Sequence, residues 1–130
     1  MVVNLKHIAR RDLREEVKFA WGNIRITEEN LDKLKKGERP EHVPTQLLHA
    51  ISLPGSELEI TRKRVPQSIH YPEIPQLLNR RAGALIEKLA TYHAEGIADK
   101  SKLIRLLNEK RKLERYYLRL VERKLDGLPK

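Results

Sequence analysis

The sequence predicts an α+β fold, with a small N-terminal β-hairpin or mixed α/β region followed by a long C-terminal antiparallel helical hairpin. Three observations predict it. Apolar and other side chains alternate around Gly22–Asn23 and again around Pro54–Gly55, as in hairpins. From Ile74 onward the apolar residues recur at helical spacing instead. Finally, the 130 residues suit one domain, with 1–65 mixed and 74–126 mainly helical.

The elements follow in order. Leu5, Ile8, Leu13 and Val17 form a broken helical stripe, while Val17–Phe19–Trp21 reads equally well as a strand. A turn at Gly22–Asn23 would pair 17–21 with 24–27 and make Trp21 an anchor of a small sheet. Thr27 has the character of an N-cap, with Glu28 and Glu29 at the positive end of a helix over 28–36. Gly37 supplies an exit through positive φ, and Pro40 and Pro44 keep the next segment irregular. A second hairpin joins 48–53 to 57–63, where Leu58 and Ile60 alternate with Glu57 and Glu59. Pro66, Pro72 and Pro75 then stiffen the connection.

The C-terminal half starts with a helical pattern of Ile74, Leu77, Leu78, Ala82, Leu85, Ile86, Leu89 and Tyr92. Gly83 between two alanines suggests close packing. Glu95–Gly96 supplies a turn, and Asp99 or Ser101 an N-cap. In the last helix Leu106, Leu113 and Leu120 recur every seven residues, on a face widened by Leu103, Leu107, Tyr117 and Val121. This face fits antiparallel packing on the preceding helix, and also a homo-oligomer. Leu106, Leu113, Tyr116, Tyr117 and Leu120 are therefore the candidate interface residues.

Charge narrows the function. Lys and Arg number 27 against 18 Asp and Glu, a net of +9. Residues 100–130 hold 11 Lys or Arg and 4 Asp or Glu, so the last helix carries most of the excess. A polyanion or an acidic protein is the partner this balance attracts. The absence of cysteine removes disulfides and thiolate metal sites and suits a reducing compartment. The opening residues carry charge too early for a secretory leader, and no apolar run reaches a membrane-spanning length. No membrane partner is expected, and the cytoplasm or a nucleoid or ribonucleoprotein is the expected place. One Met and many Lys, Arg and Glu lean toward a thermophile.

Arg62–Lys63–Arg64, in a segment bounded by prolines, is the first candidate phosphate contact; a solvated strand end explains it equally well. Arg105, Lys112, Arg119 and Arg123 form the second, on the polar side of the last helix with Lys110, Arg111 and Arg115 at its boundaries. Glu109, Glu114 and Glu122 interrupt that field. Tyr117 belongs to the buried stripe, and Tyr116 is the exposed neighbour.

Catalytic signatures are missing. His7, His42, His49, His70 and His93 form no compact ligand motif, and His70 with Glu73 lacks a paired nucleophile. Neither G-x-x-x-x-G-K-S/T nor G-x-G-x-x-G occurs. No metal or cofactor is expected. The leading reading is a non-enzymatic DNA- or RNA-associated protein that holds phosphates. The alternative is a helical structural or adaptor subunit of a replication, transcription, viral or ribonucleoprotein assembly. An enzyme ranks third.

Overall fold

A computed structural model describes residues 5–40, 43–52, 74–94 and 99–127, the first five of these by backbone alone. All regular structure among the described residues is α-helix. The order is α1 (Leu5–Lys35), α2 (Gln46–Ser52), α3 (Gln76–Ala94) and α4 (Lys100–Asp126). The α+β expectation is thereby overturned: these four helices make a bundle and no strand is present among the described residues.

Helix α1 replaces the expected hairpin of 17–21 with 24–27 and absorbs the short helix of 28–36. Over 31 residues its buried positions Leu13, Ala20, Ile24, Thr27, Leu31 and Leu34 fall three, four or seven apart, the spacing of one helical face. The polar residues of the supposed turn are accommodated inside the helix. Asn23 donates its side-chain amide to the Phe19 carbonyl at 2.9 Å, one turn back. Thr27 is no N-cap; it is buried mid-helix, with its hydroxyl 3.1 Å from the Asn23 carbonyl. The helix ends as the sequence suggests. Gly37 has φ +77°, and Glu38 N–H donates to the Lys33 carbonyl at 2.8 Å while Gly37 N–H donates to Leu34 at 3.1 Å. This pair of bonds is a Schellman stop, which needs a left-handed residue where Gly37 stands.

The second hairpin fails on its first strand, because 46–52 is α2, burying Leu47, Leu48 and Ile51. Its second strand, 57–63, lies outside the described residues. Helix α3 buries Leu78, Ala82, Leu85, Leu89 and Tyr92, again at alternating four- and three-residue steps. Gly83 marks no close approach, since a Cβ there meets nothing within 4 Å. Asn79 ties α3 to the end of α2: with its amide nitrogen turned inward it donates to Ile51 O at 3.0 Å and Ser52 O at 3.2 Å. Asp99 caps α4 by accepting the Lys102 N–H at 3.2 Å. The buried Tyr92 hydroxyl donates to the Asp99 carbonyl, linking the end of α3 to that cap; burial and the Asp99 charge both raise its pKa.

Helix α4 is the centre of the bundle. It packs along α1 and against α3, and α3 carries α2. The α1–α4 pair is antiparallel: Tyr117 O–H donates to Glu16 at 2.7 Å, whereas the earlier Glu114 meets the later Thr27 at 2.6 Å. Between the two helices lies an ion pair sealed from solvent. Lys110 and Glu114, 1% and 0% exposed, are one turn apart, with Lys110 Nζ 3.1 Å from Glu114 Oε1. Lys110 also donates to the Thr27 hydroxyl at 2.8 Å. Thr27 has one proton to give, and the shorter of its two contacts is the carboxylate. Loss of water dominates both charges, lowering the Lys110 pKa and raising that of Glu114 against their mutual attraction. Glu114 Oε2 has no hydrogen-bond partner among the described residues, which adds to the cost of burial.

Removal of one partner strands the other charge in the core. Glu114→Leu and Lys110→Met are each expected to lose about 3–5 kcal/mol, and the double variant to regain most of it, because an apolar pair of similar volume needs no desolvation. Urea denaturation of the four proteins reads this directly. Additive losses in the double variant would refute an interacting pair.

Candidate functional site

The cations expected to contact phosphate on the last helix are all at the surface. Arg105, Lys112, Arg119 and Arg123 are exposed, and their spacing of seven, seven and four sets them along one face of α4. Tyr116 stands in the same row at 44% exposure. The boundary positions divide. Lys110 is buried and unavailable to any ligand. Arg111 donates to Asn108 at 3.2 Å, and Arg115 pairs with Glu28 of α1 at 2.9 Å. Arg62, Lys63 and Arg64 lie outside the described residues, as do His42, His70 and Glu73.

The candidate interface residues separate by depth. Leu106 and Leu113 are 6% exposed and Tyr117 is fully buried. Leu120 is half-buried against the core. These four belong to the interior of the single chain, which leaves Tyr116 as the surface member of the set.

Tyr116 forms one wall of a cleft of about 310 Å³ between α3 and α4. Leu77 of α3 forms the other wall, at 57% exposure. Buried Leu78 and Leu113 make the floor, and Arg81 and Lys112 stand at the edges. Leu77 was expected in the core stripe of α3. It sits about 100° off the line of Leu78, Ala82, Leu85 and Leu89, as neighbours on a helix do, and so faces out. That offset was readable in the sequence; the meeting with Tyr116, 39 positions away, was not. Chemically the cleft offers an apolar slot with cations on its rim, a place for an apolar side chain that arrives with carboxylates.

Trp21 is also re-placed. It is no sheet anchor but an outward residue of α1, 45% exposed. Among the described residues no three His, Cys, Asp or Glu side chains gather where they could hold a metal ion. No described helix is long and apolar enough to cross a membrane. No protein-family model, curated protein or solved structure matches the chain.

The neighbouring tyrosines of α4 give a test of the depth assignment. Tyr117→Phe deletes the bond to Glu16 and is expected to cost about 1.5 kcal/mol. Tyr116→Phe is expected to leave stability within about 0.5 kcal/mol. Chemical denaturation that ranked the two the other way would reverse their roles.

Proposed function

We propose that this protein is a non-enzymatic helical adaptor, whose α3–α4 cleft docks an acidic protein segment bearing an apolar anchor. The observation that carries the reading is the exposed pair Leu77 and Tyr116 over a buried leucine floor, with Arg81 and Lys112 on the rim. Leucine at 57% exposure gains little from solvent, and burying such a side chain contributes about 1.5–3 kcal/mol. Tyrosine and arginine are, with tryptophan, the side chains enriched at interface hot spots. The rim cations add orientation and association rate more than affinity.

The test is a panel of labelled peptides read by fluorescence anisotropy. Acidic peptides with a Leu, Phe or Trp anchor should bind at least tenfold more tightly than charge-matched peptides without one. Leu77→Ser with Tyr116→Ala should abolish that preference, and Arg81→Glu should weaken every acidic peptide. A panel bound without regard to the anchor would remove the cleft from the function.

A second reading is nucleic-acid association through the α4 row. Its support is the exposure of Arg105, Lys112, Arg119 and Arg123 on one face, over about 27 Å of helix; Arg62–Lys63–Arg64 would add to it. In this reading duplex affinity falls linearly with the logarithm of salt, and changing all four α4 cations to Gln reduces the slope by about 3 to 4. An unchanged slope would leave the row as a solvated face or a rim for the acidic protein segment.

A further inference from the structure

The outer face of α1 carries a second, separate arrangement. Arg11, Arg14, Lys18, Trp21 and Arg25 are all exposed, and they follow one another at steps of three, four, three and four. That spacing confines them to one narrow stripe, about 21 Å long from Arg11 to Arg25. Two surface depressions run along it. The first, about 680 Å³, is bordered by Arg10, Arg11, Arg14 and Lys18 with Val17 and Leu125 at its apolar side. The second, about 390 Å³, is bordered by Lys18, Trp21, Gly22 and Arg25. Lys18 borders both, so the two depressions are neighbours along the stripe and are taken together as a groove. Its acidic member is Glu15, 3.6 Å from Lys18. Arg11 lies 3.9 Å from Asp12, so the cations Arg11, Arg14, Lys18 and Arg25 stand against two carboxylates and the stripe from 11 to 25 is net positive.

The position of Trp21 gives the groove a chemistry beyond charge. The indole stands between Lys18 and Arg25, one residue from Gly22, where an added Cβ would meet nothing within 4 Å. Gly22 lines the second depression together with Trp21, and its missing side chain leaves a notch there. A flat group can enter there and lie on the indole while anions on either side reach Lys18 and Arg25.

The geometry points to a binding groove for single-stranded nucleic acid along α1, with phosphates on Arg11, Arg14, Lys18 and Arg25 and one unpaired base stacked on Trp21. Single strands are the class that combines closely spaced phosphates with open aromatic faces. A duplex offers the phosphates but keeps its bases stacked inside, so it gains nothing from the indole. An acidic protein segment would use the cations but has no regular partner for the notch. The groove spans at most about six nucleotides at 3.4 Å per nucleotide, fewer if the strand is extended. The inference depends on neither the α3–α4 cleft nor the α4 row.

The chain's single tryptophan makes the test direct. Titration of the full chain with 12-nucleotide single strands of dT, dA and rU should quench its fluorescence to saturation; a 12-base-pair duplex should bind with little quenching. Trp21→Ala should weaken single-strand binding about tenfold, leaving the salt slope and duplex affinity unchanged. Arg14, Lys18 and Arg25 changed together to Gln should reduce the single-strand slope by about 2. Gly22→Leu fills the notch and suits a helix better than glycine; it should weaken single strands while the melting temperature holds or rises, which separates a blocked site from a damaged fold. Changing Arg105, Lys112 and Arg119 to Gln should leave the quenching intact, so failure of the α4 row does not carry over to this groove. Saturable single-strand binding without quenching, equal loss of single strand and duplex in Trp21→Ala, or binding of acidic peptides but of no oligonucleotide would each overturn the proposal.

Discussion

The seal between α1 and α4 governs the rest of the molecule. The buried apolar residues of the two helices, such as Ala20, Ile24, Leu31, Leu103, Leu107 and Val121, would pack acceptably in more than one register, because leucine recurs along both helices. Lys110 and Glu114 would not. Their shared hydroxyl is Thr27, and a slide of one heptad puts Ala20 or Leu34 in its place. The two charges would then keep only each other in a site from which water is excluded, and unpaired buried charge is among the most costly defects in a core. A polar group that weakens a core overall while choosing one register is a known use of such residues in paired helices. The same register brings Arg115 to Glu28 and Tyr117 to Glu16.

Register in turn decides what faces outward. Residues 10–32 of α1 contain five Lys or Arg and six Asp or Glu, which looks neutral along the chain. Folding sorts them. Glu16 and Glu28 turn to α4, where Tyr117 and Arg115 receive them. Arg11, Arg14, Lys18 and Arg25 remain on the outer stripe, which exposed Glu29 and Asp32 continue toward the end of the helix. The terminal helix shows the opposite trend. Its large excess of cations is trimmed by burial of Lys110 and by the pairing of Arg115. A charge count per segment thus misses the cationic stretch of α1 from Arg11 to Arg25 and overstates the positive field of α4, since field follows the face and not the stretch of sequence.

What could be read from sequence was whatever local geometry determines. Asp99 as a cap, Gly37 as a left-handed stop and the 4–3–4–3 pattern of α3 depend on neighbours within a turn or two. Helix α1 was misread because short windows of it satisfy strand and turn rules: V-K-F-A-W alternates, and Gly22–Asn23 resembles a loop. The decisive pattern runs from Leu13 to Leu34 and needs more than twenty residues to outweigh those windows. Thr27 looked like a cap for a similar reason, since hydroxyls favour helix starts unless a buried partner holds them mid-helix. That partner is 87 positions away. Burial of Lys110 and the meeting of Leu77 with Tyr116 are likewise long-range facts, and no periodicity within one helix encodes them.

Helix α4 lies between two neighbours, and its two flanks serve different physics. Arg115 looks to Glu28 on α1; Tyr116, about 100° around the helix, looks to Leu77 on α3. On the α3 side the proposed contact is an apolar anchor with charges at the rim, so it depends weakly on salt. On α1 the proposed contact is mostly counterion release, so it falls steeply as salt rises, with the stacking on Trp21 as the part that salt does not touch. Under these two proposals a protein partner would be held over a range of ionic strength in which the grip on a nucleic-acid strand would change greatly. The two proposed sites share no residue, and so each could be altered without the other. For a chain of 130 residues the gain from the helical bundle of its described residues is surface: long helices give each of the two proposed ligands a separate face, over a core that contains the buried Lys110–Glu114 pair.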